Sequence, residues 1–182
     1  MNLPEVMIEA ADSINLPLTE KIFLVSTSTQ TAYLLKQVEN IEKNYAIFRR
    51  YRCSTSKFGI GQNKGSNQTP LGLHKIAEKI GGDQPPRTVF KSRKPVGMLG
   101  QNIENPSIVH RILWLQGLQP GLNAGGEVDS HERYIYIHGT PDDHTIGSPF
   151  SHGCVHLSKE NLLDFFTLVN EGDLVWIQEA DL

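Results

Sequence analysis

Residues 134–157 read YIYIHGTPDDHTIGSPFSHGCVHL, and the rest of the chain is read outward from them. The run Tyr134-Ile135-Tyr136-Ile137-His138 is rich in aromatic and β-branched residues, so a strand is expected over Arg133 to His138. With a period of two, Tyr134, Tyr136 and His138 share one face, and Ile135 and Ile137 share the other. The isoleucines then anchor the strand in a core. His138 stands at the strand's end, just before Gly139, where the chain can break away. Farther on, Ser151-His152-Gly153-Cys154 sets a thiol in a glycine-containing turn. There the sulfur lies beside backbone N–H groups able to receive the oxyanion of a tetrahedral intermediate. A thiol is a weak nucleophile until ionised, and a neighbouring imidazole both lowers its pKa and takes its proton. His138, His144, His152 and His156 are the candidates for that base. Cys53 lies within a strand-like run and is expected in the core, the usual place for a cysteine.

Strand signals dominate the remaining chain. Ile22 to Val25 and Thr31 to Leu35 are short apolar runs joined by a polar stretch that suits a hairpin. Further strands are expected at Tyr45 to Thr55, Gly72 to Ile80, Thr88 to Ser92, Val109 to Leu115 and Asp173 to Gln178. Residues 57–70 form a loop, with three glycines and a closing proline. Residues 116–131 are a long Gly-rich stretch running into the His138 strand, either a wall of a site or a surface loop. One helix is expected over 158–171. Ser158 is its N-cap, Glu160 suits the positive end of its dipole, and Gly172 lies just past its end. Its apolar stripe is Leu162, Leu163, Phe165, Phe166 and Val169. Residues 1–18, with Pro4 and Pro17, are expected to be irregular.

The 182 residues favour one domain with a sizeable core. A composition of 38% hydrophobic and 20% charged residues is that of an ordinary globular protein. The net charge of -3 argues against nucleic acid as the main partner. No apolar run approaches the ~20 residues that cross a bilayer, so no membrane insertion is expected. The opening MNLPEVMIEAADS lacks a basic n-region and an apolar h-region. The expected location is cytoplasmic, or periplasmic if a leader has been removed. Two cysteines are too few for a disulfide framework, and free thiols are expected.

The strand ending in Ile137-His138-Gly139-Thr140, then Ile146-Gly147, then Ser151-His152-Gly153-Cys154-Val155, resembles the signature of the L,D-transpeptidase catalytic domain. Thr69-Pro70-Leu71-Gly72 resembles the family's Thr-Pro-x-Gly element ahead of a strand. The helix at 158–171 followed by Gly172-Asp173-Leu174-Val175-Trp176-Ile177 resembles its closing helix and strand. The likeness covers about residues 20–178, dividing the chain into an N-terminal arm at 1–19 and a catalytic domain at 20–182. It implies a mainly β fold, a mixed β-sandwich with one or two helices and a site in a cleft at one end. It also implies roles. Cys154 is the nucleophile, His138 its base, and the carbonyl of Gly139 orients that imidazole. His152 shapes the site, while the N–H groups of Gly153 and Cys154 contribute to an oxyanion hole. Ser151, which helps hold the turn, Thr140 and His156 are placed on the substrate side. No cofactor and no metal is implied. The family usually carries Arg two residues after the cysteine, where this chain has His156. Arg clamps a carboxylate through a bidentate fork and His does not. Arg111, Arg133 and the basic run at 87–94 are candidates to take over that contact.

The implied reaction is acyl transfer on a peptidoglycan stem tetrapeptide or muropeptide. Cys154 expels the terminal D-alanine and forms a thioester, which an amine or water then resolves. Two other readings compete. A zinc hydrolase would draw on His138, His144, His152, His156 and Cys154, but the chain has no His-Glu-x-x-His or Cys-x-x-Cys motif. A non-catalytic peptidoglycan-binding module is the other, since fold does not fix function; an intact Cys-His pair argues against it. Gly59-Ile60-Gly61 lacks the full glycine pattern of a nucleotide loop.

Overall fold

Strand β1 (Lys21–Ser26) has two apolar faces: Phe23 and Val25 pack into one cluster, Ile22 and Leu24 into another. Such a strand must be covered on both sides. The computed structural model, which describes residues 3–39 and 43–182, shows how. The remaining strands are β2 (Thr31–Gln37), β3 (Tyr45–Ser54), β4 (Gly72–Ile80), β5 (Thr88–Lys91), β6 (Lys94–Met98), β7 (Ile108–Gly117), β8 (Tyr136–Gly139), β9 (Val155–Leu157) and β10 (Leu174–Gln178). Two α-helices, α1 (Glu5–Ser13) and α2 (Lys159–Leu168), accompany them.

The strands run in the order β4-β10-β1-β2-β3-β9-β8-β7, and a β4–β7 pairing closes the sheet on itself. The β5–β6 hairpin extends from β7. β1–β10 and β8–β9 pair in parallel and the other neighbours antiparallel. The fold is therefore mainly β and mixed, as expected, with its two layers formed by opposite walls of one barrel-like sheet. Closure removes the unpaired edges that an open sheet would present.

Inside lie Phe23, Leu34, Cys53, Leu113, Ile137, Val155 and Val175. Helix α2 adds Leu162 and Phe165 to the same cluster, with the Phe23 and Phe165 ring centroids 4.2 Å apart. The outer faces of β1, β2, β4 and β10 are covered by Met7, Ala10 and Ala11 of α1. Residues 1–18, expected to be irregular, thus hold a packed helix. Its signal is short: nine residues after Pro4, too few for a clear stripe in the sequence.

Other boundaries moved for local reasons. Tyr134 sits in a turn at φ +57°, so β8 begins at Tyr136 and Tyr134 leaves the face it was expected to share with His138. Gly172 lies beyond the helix end, where Val169 is the C-cap; its N–H bonds to Ile76 O at φ +93° and turns the chain into β10. The N-cap Ser158 has extended backbone but makes no side-chain capping bond. The short strands β6 and β9 carry too few residues to show a period in sequence. The 116–131 stretch is tied down by a buried Asn123, which bonds the carbonyls of Leu71 and Leu73.

Candidate active site

Parallel pairing of β8 with β9 builds the site. Ile137 faces Val155 across the two strands, and both point into the barrel. Residues one step away must point outward. On β8 these are Tyr136 and His138. Across from them stand Cys154, just ahead of β9, and His156, which is in register with His138. His138, Cys154 and His156 accordingly line one pocket of about 540 Å³, bounded also by Thr140, Asp142 and His152. The rings of His138 and His156 lie 4.5 Å apart, centroid to centroid.

Each member is held by named bonds. His138 Nδ1 meets its neighbour's carbonyl, Gly139 O, at 2.8 Å. A carbonyl only accepts, so Nδ1 carries the proton and Nε2 is left with a lone pair, the state a base needs. Cys154 Sγ accepts the N–H of Tyr136 at 3.4 Å and offers its own proton to Tyr134 O at 3.5 Å. Ser151 Oγ donates to Cys154 O at 2.6 Å and accepts the N–H of Gly153 at 3.3 Å. Gly153 has φ +119°, a conformation that favours glycine. Thr69 Oγ1 accepts Ser56 N–H and donates to Gly153 O, both at 3.0 Å, so the Thr-Pro-Leu-Gly element clamps the turn that carries Cys154. Thr140 is buried and its Oγ1 accepts the N–H of Asp142.

Burial sets the resting charges. It pushes the Cys154 thiol up to about 11, against the opposing pull of the Tyr136 N–H and the Arg133 guanidinium. It pushes His138 down to about 4, against its bond to Gly139 O. His156 falls to about 2 through burial, then His138, then His152. The resting site therefore holds a neutral thiol together with the neutral imidazoles of His138 and His156.

Of the four histidines proposed as the base, His138, His152 and His156 meet Cys154 around the pocket, while His144 is exposed and does not line it. Gly153 spends its N–H on Ser151, so an oxyanion role requires exchange of that hydroxyl for the substrate oxygen. Among the described residues no group of three or more His, Cys, Asp or Glu is arranged to hold a metal ion, which leaves the zinc reading without a site there. Arg111, one of the basic candidates, lies away from this pocket against Phe166. Sequence reading missed Tyr136 N–H and Tyr134 O as partners of the sulfur. It also missed how Arg133 grips the 57–70 loop, bonding Gly61 O, Gln62 O, Ser66 Oγ and Gln68 O. Backbone groups carry no residue signature, and the arginine's acceptors lie 65 to 72 positions away.

The family model of the L,D-transpeptidase catalytic domain (YkuD) matches residues 20–177. Among curated proteins, none matches the chain. Solved structures do. The L,D-transpeptidase from Mycobacterium smegmatis is 20% identical with a TM-score of 0.50, and the match covers 87% of this chain and 58% of that one. L,D-transpeptidase 3 from Mycobacterium tuberculosis is 17% identical with a TM-score of 0.52, covering 88% and 61%. The helical cell shape determining protein Pgp2 from Campylobacter jejuni is 19% identical with a TM-score of 0.52, covering 89% and 48%. At these identities the likeness is one of fold, and the chain spans about three-fifths or less of each.

Proposed function

The chain belongs to the L,D-transpeptidase catalytic-domain family, and from that membership we propose that it catalyses cysteine-dependent acyl transfer on peptidoglycan stem tetrapeptides. One observation carries the reading: Cys154 and His138 stand on the same outward face of two adjacent parallel strand segments and line one pocket. His138 Nε2 takes the Cys154 proton as Sγ bonds to the carbonyl carbon of the third stem residue. The tetrahedral intermediate collapses, the C–N bond to the terminal D-alanine breaks, and the imidazolium returns its proton to the departing amine. A thioester on Cys154 remains. An amine from a second stem resolves it to a crosslink, and water resolves it to a tripeptide; either regenerates the thiol.

The test is intact-protein mass after mixing with a stem tetrapeptide. The expected result is a covalent tripeptidyl adduct on the wild-type chain, released D-alanine, and no adduct on Cys154→Ala. Adding an amine acceptor reads out which second step dominates. An unmodified wild-type protein with no D-alanine released would overturn the proposal.

A further inference from the structure

Two cavities meet at His152, which lines both. Their charges differ. In the larger pocket, Asp142 is the one acidic side chain among the described residues, and no lysine or arginine lines it. Burial holds His138 and His156 neutral, so neither brings a charge to its wall. The smaller cleft, about 180 Å³, is lined by Lys64 and Arg133 against one carboxylate, Glu132. The four groups that hold the Arg133 guanidinium are carbonyls and a hydroxyl, so none of them neutralises its positive charge. Tyr134, whose carbonyl accepts the Cys154 proton, lines this cleft too, and His152 links it to the pocket that Cys154 lines.

Charges taken from water need partners of opposite sign. A substrate straddling Cys154 therefore has its charges sorted between the two cavities. Resting on the acyl-transfer reading, we propose that the leaving amino acid seats its carboxylate between Lys64 and Arg133, while the side chain entering the pocket of Asp142 and His156 bears an amine and no free carboxylate. The volumes agree: the cleft suits one small amino acid, and the pocket, about 540 Å³, suits a long side chain. Asp142 Oδ1 holds the N–H of His144 at 3.0 Å, which fixes the carboxylate at the pocket wall. His156 has a buried, unpartnered Nδ1 and offers hydrogen bonding without charge. A carboxylate seated against it meets no cation.

The experiment uses the full chain and tetrapeptide donors that differ at two places. The terminal residue is D-alanine or D-alaninamide. The third residue is lysine, norleucine, or diaminopimelate with its side-chain carboxylate free. The readouts are kcat/KM for amine release and the thioester adduct by mass. The expected results are about a tenfold preference for the free terminal carboxylate and about a tenfold preference for lysine over diaminopimelate, ~1.4 kcal/mol each. Lys64→Glu removes the first preference. Asp142→Asn narrows the advantage of lysine over norleucine. Equal use of both terminal forms, an equal loss on both in Lys64→Glu, or diaminopimelate used as well as lysine overturns the proposal while leaving acyl transfer standing. Neither thioester nor amine release from any donor overturns the acyl-transfer reading and this proposal with it.

Discussion

Cys53 and Cys154 lie on neighbouring stretches of the barrel, and burial raises both thiols, Cys53 to about 12 and Cys154 to about 11. Their surroundings nevertheless differ in kind. Cys53 is paired across β3–β9 with Leu157 and packs among Phe23, Tyr51 and Val155, with no exposed surface. Cys154 stands on the outer side, where a backbone N–H points at the sulfur and three imidazoles share its pocket. The resting pKa therefore does not separate the interior thiol from the pocket thiol here. What separates them is whether a base can receive the proton and whether a reagent can reach the sulfur.

The sharpest break in that comparison is His138→Gln. If the imidazole is what distinguishes the two thiols, D-alanine release should fall by roughly 10²–10⁴, and Cys154 should then alkylate as sluggishly as an ordinary buried thiol. Iodoacetamide labelling across pH reads the same point. In the wild-type chain labelling should rise from neutrality toward alkaline pH, as expected for a thiol held well above its ordinary range. Labelling of His138→Gln at the wild-type rate would remove the base from the mechanism.

A second effect concerns stability. His74 and His138 are held near 4 by burial, and His156 near 2. In the unfolded chain each titrates near 6.5. Below that pH the unfolded state binds protons that the folded state rejects, so stability falls as pH drops from about 6.5 toward 4. Each fully buried imidazole steepens the decline by up to ~1.4 kcal/mol per pH unit, about 3 kcal/mol for His74 over that interval. Urea unfolding midpoints measured from pH 7 to pH 4 should slide downward throughout. A flat profile would show that these rings are protonated in the folded protein.

A smaller effect is expected from Thr69→Val, which leaves Ser56 N–H and Gly153 O without their hydroxyl partner. The cost should be ~1–3 kcal/mol, with a looser nucleophile turn and slower alkylation of Cys154. Thr69→Ser keeps the hydroxyl and should lose far less in the same melts and labelling assay.

Thr69 also marks what the sequence could reveal. Its Thr-Pro-Leu-Gly motif is legible as a pattern, yet the pattern does not say that its hydroxyl grips a residue 84 positions later. Most strands were legible because their periods reflect burial: Gly72 to Ile80 matches β4 end to end. That Cys154 and His138 share one pocket was legible through the resemblance of their two motifs to a known family's signature, since the residues themselves left four histidines open. Three features were not. Closure of the sheet depends on β4–β7 pairing, a long-range register with no local signature. Helix α1 is too short to show a stripe. The turn at Tyr134 puts a bulky residue at positive φ, against its local preference, where Tyr134 N–H bonds His131 O and Ile135 N–H bonds Ser130 O.

The mildest test returns to the interior cysteine. In Cys53→Ala one sulfur is removed from a filled barrel, leaving a small void lined by Phe23, Tyr51 and Val155. The expected loss is about 1 kcal/mol, readable as a lowered urea midpoint with D-alanine release unchanged. The two cysteines share a strand neighbourhood: Cys53 faces Leu157 across β3–β9, three residues beyond Cys154. If the barrel wall insulates one side from the other, the void stays local, and the rate at which Cys154 is alkylated should not move. A change in that rate without a change in fold would mean that packing inside the sheet tunes the nucleophile outside it. The contrast between the two thiols would then be one of degree, set by how far β9 can shift, rather than of the side each faces.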